Sequence, residues 1–230
     1  MNRNSFAVLA VTFLMAGLTG IPQAKAQVPL QEAPLIQDDP FVKSCRLTPT
    51  VAQELSYPGR DRVTLSNNLA QPEGKAVPAA GEILYVTGRI VDENCVPVLG
   101  ATVDLWQANP SGIYQFATEG ELLNAEPLFA GSGRTTTDNL GRYGFITLVP
   151  SGYGKRAPHL NFKVSHPDYT TSNYALFFEG VAANESDPVL RSVRSDSRYR
   201  LVSKMYDAGD GVSRITFDMT LRGTSRYRSF

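Results

Sequence analysis

Residues 158–165 read PHLNFKVS. Leu160, Phe162 and Val164 fall at alternate positions, with His159, Asn161 and Lys163 between them. Successive side chains of a strand point to opposite faces, so this is a strand with an apolar face and a polar one. The same period recurs along the chain. EILYVTGRIV (82–91) is β-rich, DENCVPVLG (92–100) is turn chemistry, and ATVDLWQA (101–108) sets Ala101, Val103 and Leu105 against Thr102, Asp104 and Trp106. Together these predict a hairpin. GRYGFITLV (141–149) and YALFFEG (174–180) predict further strands. SRITFDMTLRG (213–223) predicts one strand with Ile215, Phe217, Met219 and Leu221 on one face. Only DPVLRSVRSDSRYRLVSKMY (187–206) carries a weak helical pattern. Many short alternating strands divided by turns predict an all-β fold, an antiparallel β-sandwich in which two sheets hide their apolar faces against each other.

The chain has 230 residues, 42% hydrophobic and 19% charged, with 22 basic and 22 acidic side chains. That suits a globular domain and gives no basic excess for nucleic acid. Arg3, the apolar run from Phe6 to Ile21, and Ala24-Lys25-Ala26 before Gln27 form the pattern of a cleaved secretory signal peptide over residues 1–26. Its removal leaves 20 basic against 22 acidic residues, a charge of −2. No other apolar run is long enough to span a bilayer. The chain is therefore expected to be exported, periplasmic or secreted. In an oxidising compartment Cys45 and Cys95 are candidates for a disulfide, the alternative being two buried thiols. Residues 27–80, rich in Pro, Gln and turn signals, predict an irregular N-terminal arm wrapping on a sandwich at 81–223, with a tail at 224–230.

Three polar side chains accompany His159. Arg156 lies three residues before it, Tyr153 six before it in PSGYG, and Tyr114 follows the strand ending near Ala108. Phenolate oxygen and imidazole nitrogen suit a hard, highly charged ion such as Fe(III). Spacing alone does not make them converge. In a chain with ten tyrosines, buried phenols that only pack and hydrogen-bond are the plainer reading.

VTGRIVDENCVPVLGATVDLWQANPSGIY, FAGSGRTTTDNLGRYGFITLVPSGY, RAPHLNFKV and LFFEG, together with LTP at 47–49, resemble the intradiol ring-cleavage dioxygenases, the protocatechuate and catechol dioxygenase family. The first stretch alone also resembles transthyretin-like and carboxypeptidase-regulatory sandwiches. WQANPSGIY, TTTDNLGRYGF and SGYGKRAPH are what separate the dioxygenases. The resemblance implies a β-sandwich with a mononuclear non-haem Fe(III) site, a small aromatic diol and dioxygen as partners, and ring opening to a muconate-type diacid. It allows a homo-oligomer. By motif, Tyr114, Tyr153 and His159 take metal-ligand positions. Tyr153 is the tyrosine that leaves the metal and accepts a proton, and Arg156 steadies developing substrate charge.

Two positions depart from the family. Asn161 stands where HxH carries its second histidine, and Ala175 where a glutamine often precedes LYFEG. Asn161 keeps the face of His159 and offers an amide oxygen, a weak or water-mediated ligand. His166, an odd seven residues from His159, is expected to face away unless a bulge intervenes. Three readings follow: a working dioxygenase with three strong protein ligands, a dioxygenase fold without iron that acts as an exported binding or structural module, or a site for another metal.

Overall fold

The computed structural model describes residues 45–54, 56–115, 126–209 and 211–223. The expected signal peptide, the start of the arm and the tail lie outside the described residues. The strands are β1 (Ile83–Val91), β2 (Thr102–Trp106), β3 (Ser132–Thr136), β4 (Arg142–Leu148), β5 (His159–His166) and β6 (Tyr169–Phe178). A short helix α1 (Pro188–Ser192) precedes β7 (Val202–Ser203), β8 (Met205–Asp207), β9 (Val212–Thr216) and β10 (Met219–Thr220).

Two five-stranded sheets form the expected sandwich. In the first, β1 is central. It pairs antiparallel with β4 on one edge and parallel with β9 and then β10 on the other, and β8 flanks β9. The second runs β3-β2-β5-β6-β7, antiparallel except for the last pair. The sheets are thus mixed, where alternation alone suggests antiparallel pairing throughout. The core between them holds Leu84, Val86 and Ile90 of β1, Phe145 of β4, and Leu160, Phe162 and Val164 of β5. Leu160, Phe162 and Val164 fall on the buried side as their alternation predicts, because only that side removes apolar area from water.

The hairpin expected over 82–108 does not form. Both edges of β1 are occupied by other strands, so β2 cannot pair with it. The turn after β1 curls back only as far as a Val91–Pro97 bridge and a bond from Val98 N to the Ile90 carbonyl at 3.0 Å. Gly100 N then bonds the Thr137 carbonyl (3.0 Å) and Ala101 N bonds Thr137 Oγ1 (2.8 Å), which delivers the chain into the other sheet. The strand expected over 213–223 divides at Phe217–Asp218, where Asp218 Oδ1 accepts from Arg89 N at 2.8 Å in place of a ladder carbonyl. Ile215, Phe217, Met219 and Leu221 are nevertheless all buried, as their spacing requires. The helical pattern over 187–206 yields only α1, then a 3-10 turn at Arg198–Leu201, β7 and β8. Arg198 ends α1 by donating to the carbonyls of Val193 and Arg191, both at 2.8 Å.

The N-terminal segment joins the two sheets. Thr48 N bonds the Thr220 carbonyl in the first sheet (3.2 Å), and Val51 N bonds the Asn173 carbonyl in the second (2.9 Å). Cys45 and Cys95 are bonded, with Cα atoms 5.3 Å apart and a sequence separation of 50. A loop of that length restricts the unfolded chain by about 4 kcal/mol in the chain-entropy model. Replacing both cysteines by serine is expected to lower unfolding free energy by about 2–4 kcal/mol, measured by urea denaturation of the oxidised parent and the variant.

Candidate functional site

β5 is buried on both faces along its first half. His159, Leu160, Asn161 and Phe162 are all inaccessible, while Lys163 is half-buried. The sandwich covers only one of these faces. Register defines the other as rows across the second sheet: Ser132, Trp106, Asn161 and Ala175 are cross-strand partners, and His159 partners Phe177. Asn161 and Ala175 are thus direct neighbours on one face.

Two loops and the N-terminal segment close over these rows. The turn after β2 carries Tyr114, its approach held by Asn109, whose Oδ1 accepts from Ser111 N (2.9 Å) and Ile113 N (3.0 Å). Gly112 has φ of +78°, and a Cβ there would meet the Gly152 carbonyl at 2.6 Å. That contact lets the Tyr114 loop lie against the Tyr153 loop. Tyr153 and Arg156 exchange two backbone hydrogen bonds, of 3.2 and 2.8 Å, around Gly154-Lys155. The tight turn puts both side chains near the entry to β5. From the third side, Ser56 Oγ accepts from Trp106 Nε1 at 3.3 Å, and Tyr57 lies edge-on to Trp106 with centroids 4.9 Å apart.

The structure brings Tyr114, Tyr153 and His159 together. Tyr114 Oη donates to His159 Nε2 at 3.3 Å, and the two tyrosine rings meet edge to face at 5.4 Å. Tyr153 and His159 have ring centroids 6.0 Å apart. His159 Nδ1 lies 2.7 Å from the Ala157 carbonyl, which can only accept, so Nδ1 carries the proton and Nε2 presents its lone pair to the cluster. A backbone carbonyl fixing the tautomer is the usual support for a metal-binding histidine. Burial and then the Arg156 charge lower the His159 pKa, so the ring is neutral at pH 7. Burial raises both phenols, Tyr114 strongly; it is nearly inaccessible, whereas Tyr153 is partly buried. Neither phenol ionises at neutral pH without a cation to offset the charge.

Asn161 points its amide into the same cluster. Nδ2 donates to Tyr114 Oη at 2.9 Å, and Oδ1 is buried with no protein partner. His166 is elsewhere. A register irregularity does fall between Val164 and His166, yet His166 Nδ1 accepts from Asp168 N at 3.1 Å and its ring packs on Tyr169.

Arg156 is held by two acids. Its Nε donates to Asp187 Oδ2 at 2.9 Å, its Nη1 pairs with Glu54 Oε1, and Nη2 is buried without a protein partner. Asp187 Oδ2 also accepts from Ala157 N (2.9 Å), while Oδ1 caps α1 by accepting from Val189 N (2.8 Å) and Leu190 N (2.9 Å). Burial alone would raise the Asp187 pKa, but the bonds from Leu190 N, Arg156 and Ala157 N outweigh it and hold the carboxyl below its usual range. Glu54 and Asp187 escape the sequence reading. Asp187 had a signal, an aspartate before a proline at a helix start. Glu54, 102 residues from Arg156, had none.

The donor set fits a hard trivalent ion. Two phenol oxygens and one imidazole nitrogen converge, and an unpartnered amide oxygen lies beside them. Among the described residues no group of three His, Cys, Asp or Glu side chains could hold a metal without the phenols. Two surface depressions, of about 400 and 660 Å³, lie around Leu190 and Val202 and between Leu47–Ala52 and Thr170–Tyr174. Neither is lined by Tyr114, Tyr153 or His159; at the cluster itself Glu54 meets Arg156, and Ser56 and Tyr57 lie against Trp106.

A family model described as "Dioxygenase" matches residues 61–223. The protocatechuate 3,4-dioxygenase beta chain of Burkholderia cepacia is 31% identical over 180 residues, covering 73% of this chain and 76% of its own. The dioxygenase domain of a carbohydrate-binding fusion from Streptomyces sp. SirexAA-E matches in fold with a TM-score of 0.61 at 24% identity, covering 78% of this chain and all of that domain. The 3-chlorocatechol 1,2-dioxygenase of Rhodococcus opacus gives 0.63 at 22% identity, over 80% and 76%. The chain belongs to the intradiol ring-cleavage dioxygenase family. That family uses non-haem Fe(III) and acts on catechols with dioxygen.

Asp187→Asn is expected to cost about 3 kcal/mol at pH 7, because a buried ion pair loses one partner. The Asp187 pKa is depressed on folding, so its contribution is complete above the ordinary aspartate value near ~4 and is lost as pH falls through the lowered folded value. Urea midpoints of parent and variant should therefore converge below about pH 4.

Proposed function

We propose that this chain is an exported intradiol dioxygenase that uses ferric iron to open a catechol-type ring to a muconate-type diacid. The observation that carries the reading is the convergence of Tyr114, Tyr153 and His159, with the Nε2 lone pair of a neutral His159 facing the phenol oxygens. Ferric iron held there supplies a Lewis acid and a template for the diol.

This chain's own residues supply the rest. His159 and Tyr114 are buried and locked by hydrogen bonds, which suits permanent ligands. Tyr153 is only partly buried, at a turn, whereas Tyr114 is buried, so the Tyr153 phenolate is the one that would take up a proton from an incoming diol. Nη2 of Arg156 donates to negative charge developing on the ring oxygens. Asn161 Nδ2 donates to Tyr114 Oη, which favours the phenolate form, and its free Oδ1 serves as a weak ligand or orders a water. Export rests on the leader at residues 1–26 and agrees with a bonded Cys45–Cys95 pair.

A second reading has its own support. Asparagine at 161 and alanine beside it at 175 stand where the motif resemblance leads one to expect a histidine and, often, a glutamine. A chain of this kind without iron would serve as an exported binding module. Metal analysis and a visible spectrum separate the two. The dioxygenase reading expects about one iron per chain with a phenolate-to-iron charge-transfer band, lost in Tyr114→Phe. Colourless protein after incubation with iron would leave the binding module. The secreted chain is expected to begin at Gln27, checked by intact mass.

A further inference from the structure

Arg156, Glu54 and Asp187 are not charge-balanced. One guanidinium meets two carboxylates. The group carries a net charge of −1, in a region where Glu54, Asp187 and Arg156 are largely shielded from water. Low surrounding polarity lengthens the reach of such a charge.

The two acids do different work. Asp187 is structural: it caps α1, holds the start of β5 and seats Arg156. The Glu54 side chain instead meets Arg156 Nη1. It comes from the N-terminal segment, whose Ser56 and Tyr57 lie against Trp106 on the face of the site. It thus adds charge at the edge of the site, directly against the guanidinium best placed to greet an anionic group on a ligand.

We propose that Glu54 is a specificity-determining residue, which sets the site against catechols bearing a ring-side carboxylate and in favour of neutral or amine-bearing ones. The inference rests on the catechol reading above. A carboxylated diol would approach an arginine already matched twice and an acid of its own sign. A diol with a protonated amine would gain from the same field. One unit charge at roughly 10 Å through an effective dielectric of about 20 is worth on the order of tenfold in affinity.

The test is equilibrium binding to the iron-loaded mature chain, without oxygen, of catechol, 3,4-dihydroxybenzoate and 3,4-dihydroxyphenethylamine. The wild type is expected to bind the amine most tightly and the carboxylate least. In Glu54→Gln the amine should bind about tenfold more weakly and the carboxylate about tenfold more tightly, so that their affinity ratio falls about a hundredfold, and in Glu54→Asp it should stay near the wild-type value. A wild type that binds the carboxylate as well as the amine overturns the proposal without recourse to any variant. A ratio unchanged in Glu54→Gln, with all three affinities moving together, also overturns it and leaves Glu54 as a structural partner of Arg156. Failure to bind even neutral catechol defeats the catechol reading itself, and the charge preference falls with it.

Discussion

The carboxylate of Asp187 is where the local architecture meets. Four donors share its two oxygens: two backbone amides of α1, the amide of Ala157 and the Nε of Arg156. An ionised group with no exposure is costly to bury, and it is tolerated only when its lone pairs are filled. Here they are filled by the start of a helix, the start of a strand and the arginine of the site. Folding around one ion therefore sets the relative positions of α1, β5 and Arg156. His159 follows Ala157 by two residues and takes the Ala157 carbonyl as its proton acceptor. The imidazole is aimed by a peptide unit that the same carboxylate pins through its neighbouring amide.

The second constraint is that β5 is buried twice. Its even positions fill the sandwich, and its odd positions lie under loops. A polar face covered by loops is costly unless its groups find partners, and most do: His159 with Tyr114 and Ala157, Asn161 with Tyr114, and Lys163 with Gln53 and the ring of Tyr57. Among the atoms left unmatched are Asn161 Oδ1 and Arg156 Nη2, an acceptor and a donor at the candidate site, and Ser132 Oγ in the same cross-strand row as Asn161. Buried atoms without partners at such a place are a common mark of a site meant for something else to fill.

Much of the fold was legible because strand burial has a period of two and the side chains obey it. Leu160, Phe162 and Val164, and likewise Ile215 through Leu221, face the core as their spacing demands. Strand partnership was not legible. Residues 82–108 look like a hairpin locally, and only the competition of β4, β9 and β10 for the edges of β1 rules it out. The site was half legible. Tyr114, Tyr153 and His159 could be named, but their convergence depends on Gly112 meeting Gly152, a contact with no periodic trace. Glu54 could not be found at all, since nothing in an irregular segment marks which acid will face a buried arginine 102 residues away.

The Cys45–Cys95 bond has a bearing on motion. Glu54 stands nine positions from Cys45, so the N-terminal segment is a leash anchored on the turn after β1. Even fully extended, nine residues reach only about 30 Å. So short a tether limits how far this acid can stray from Arg156, so a bond placed on the other sheet helps to fix the charge beside the arginine.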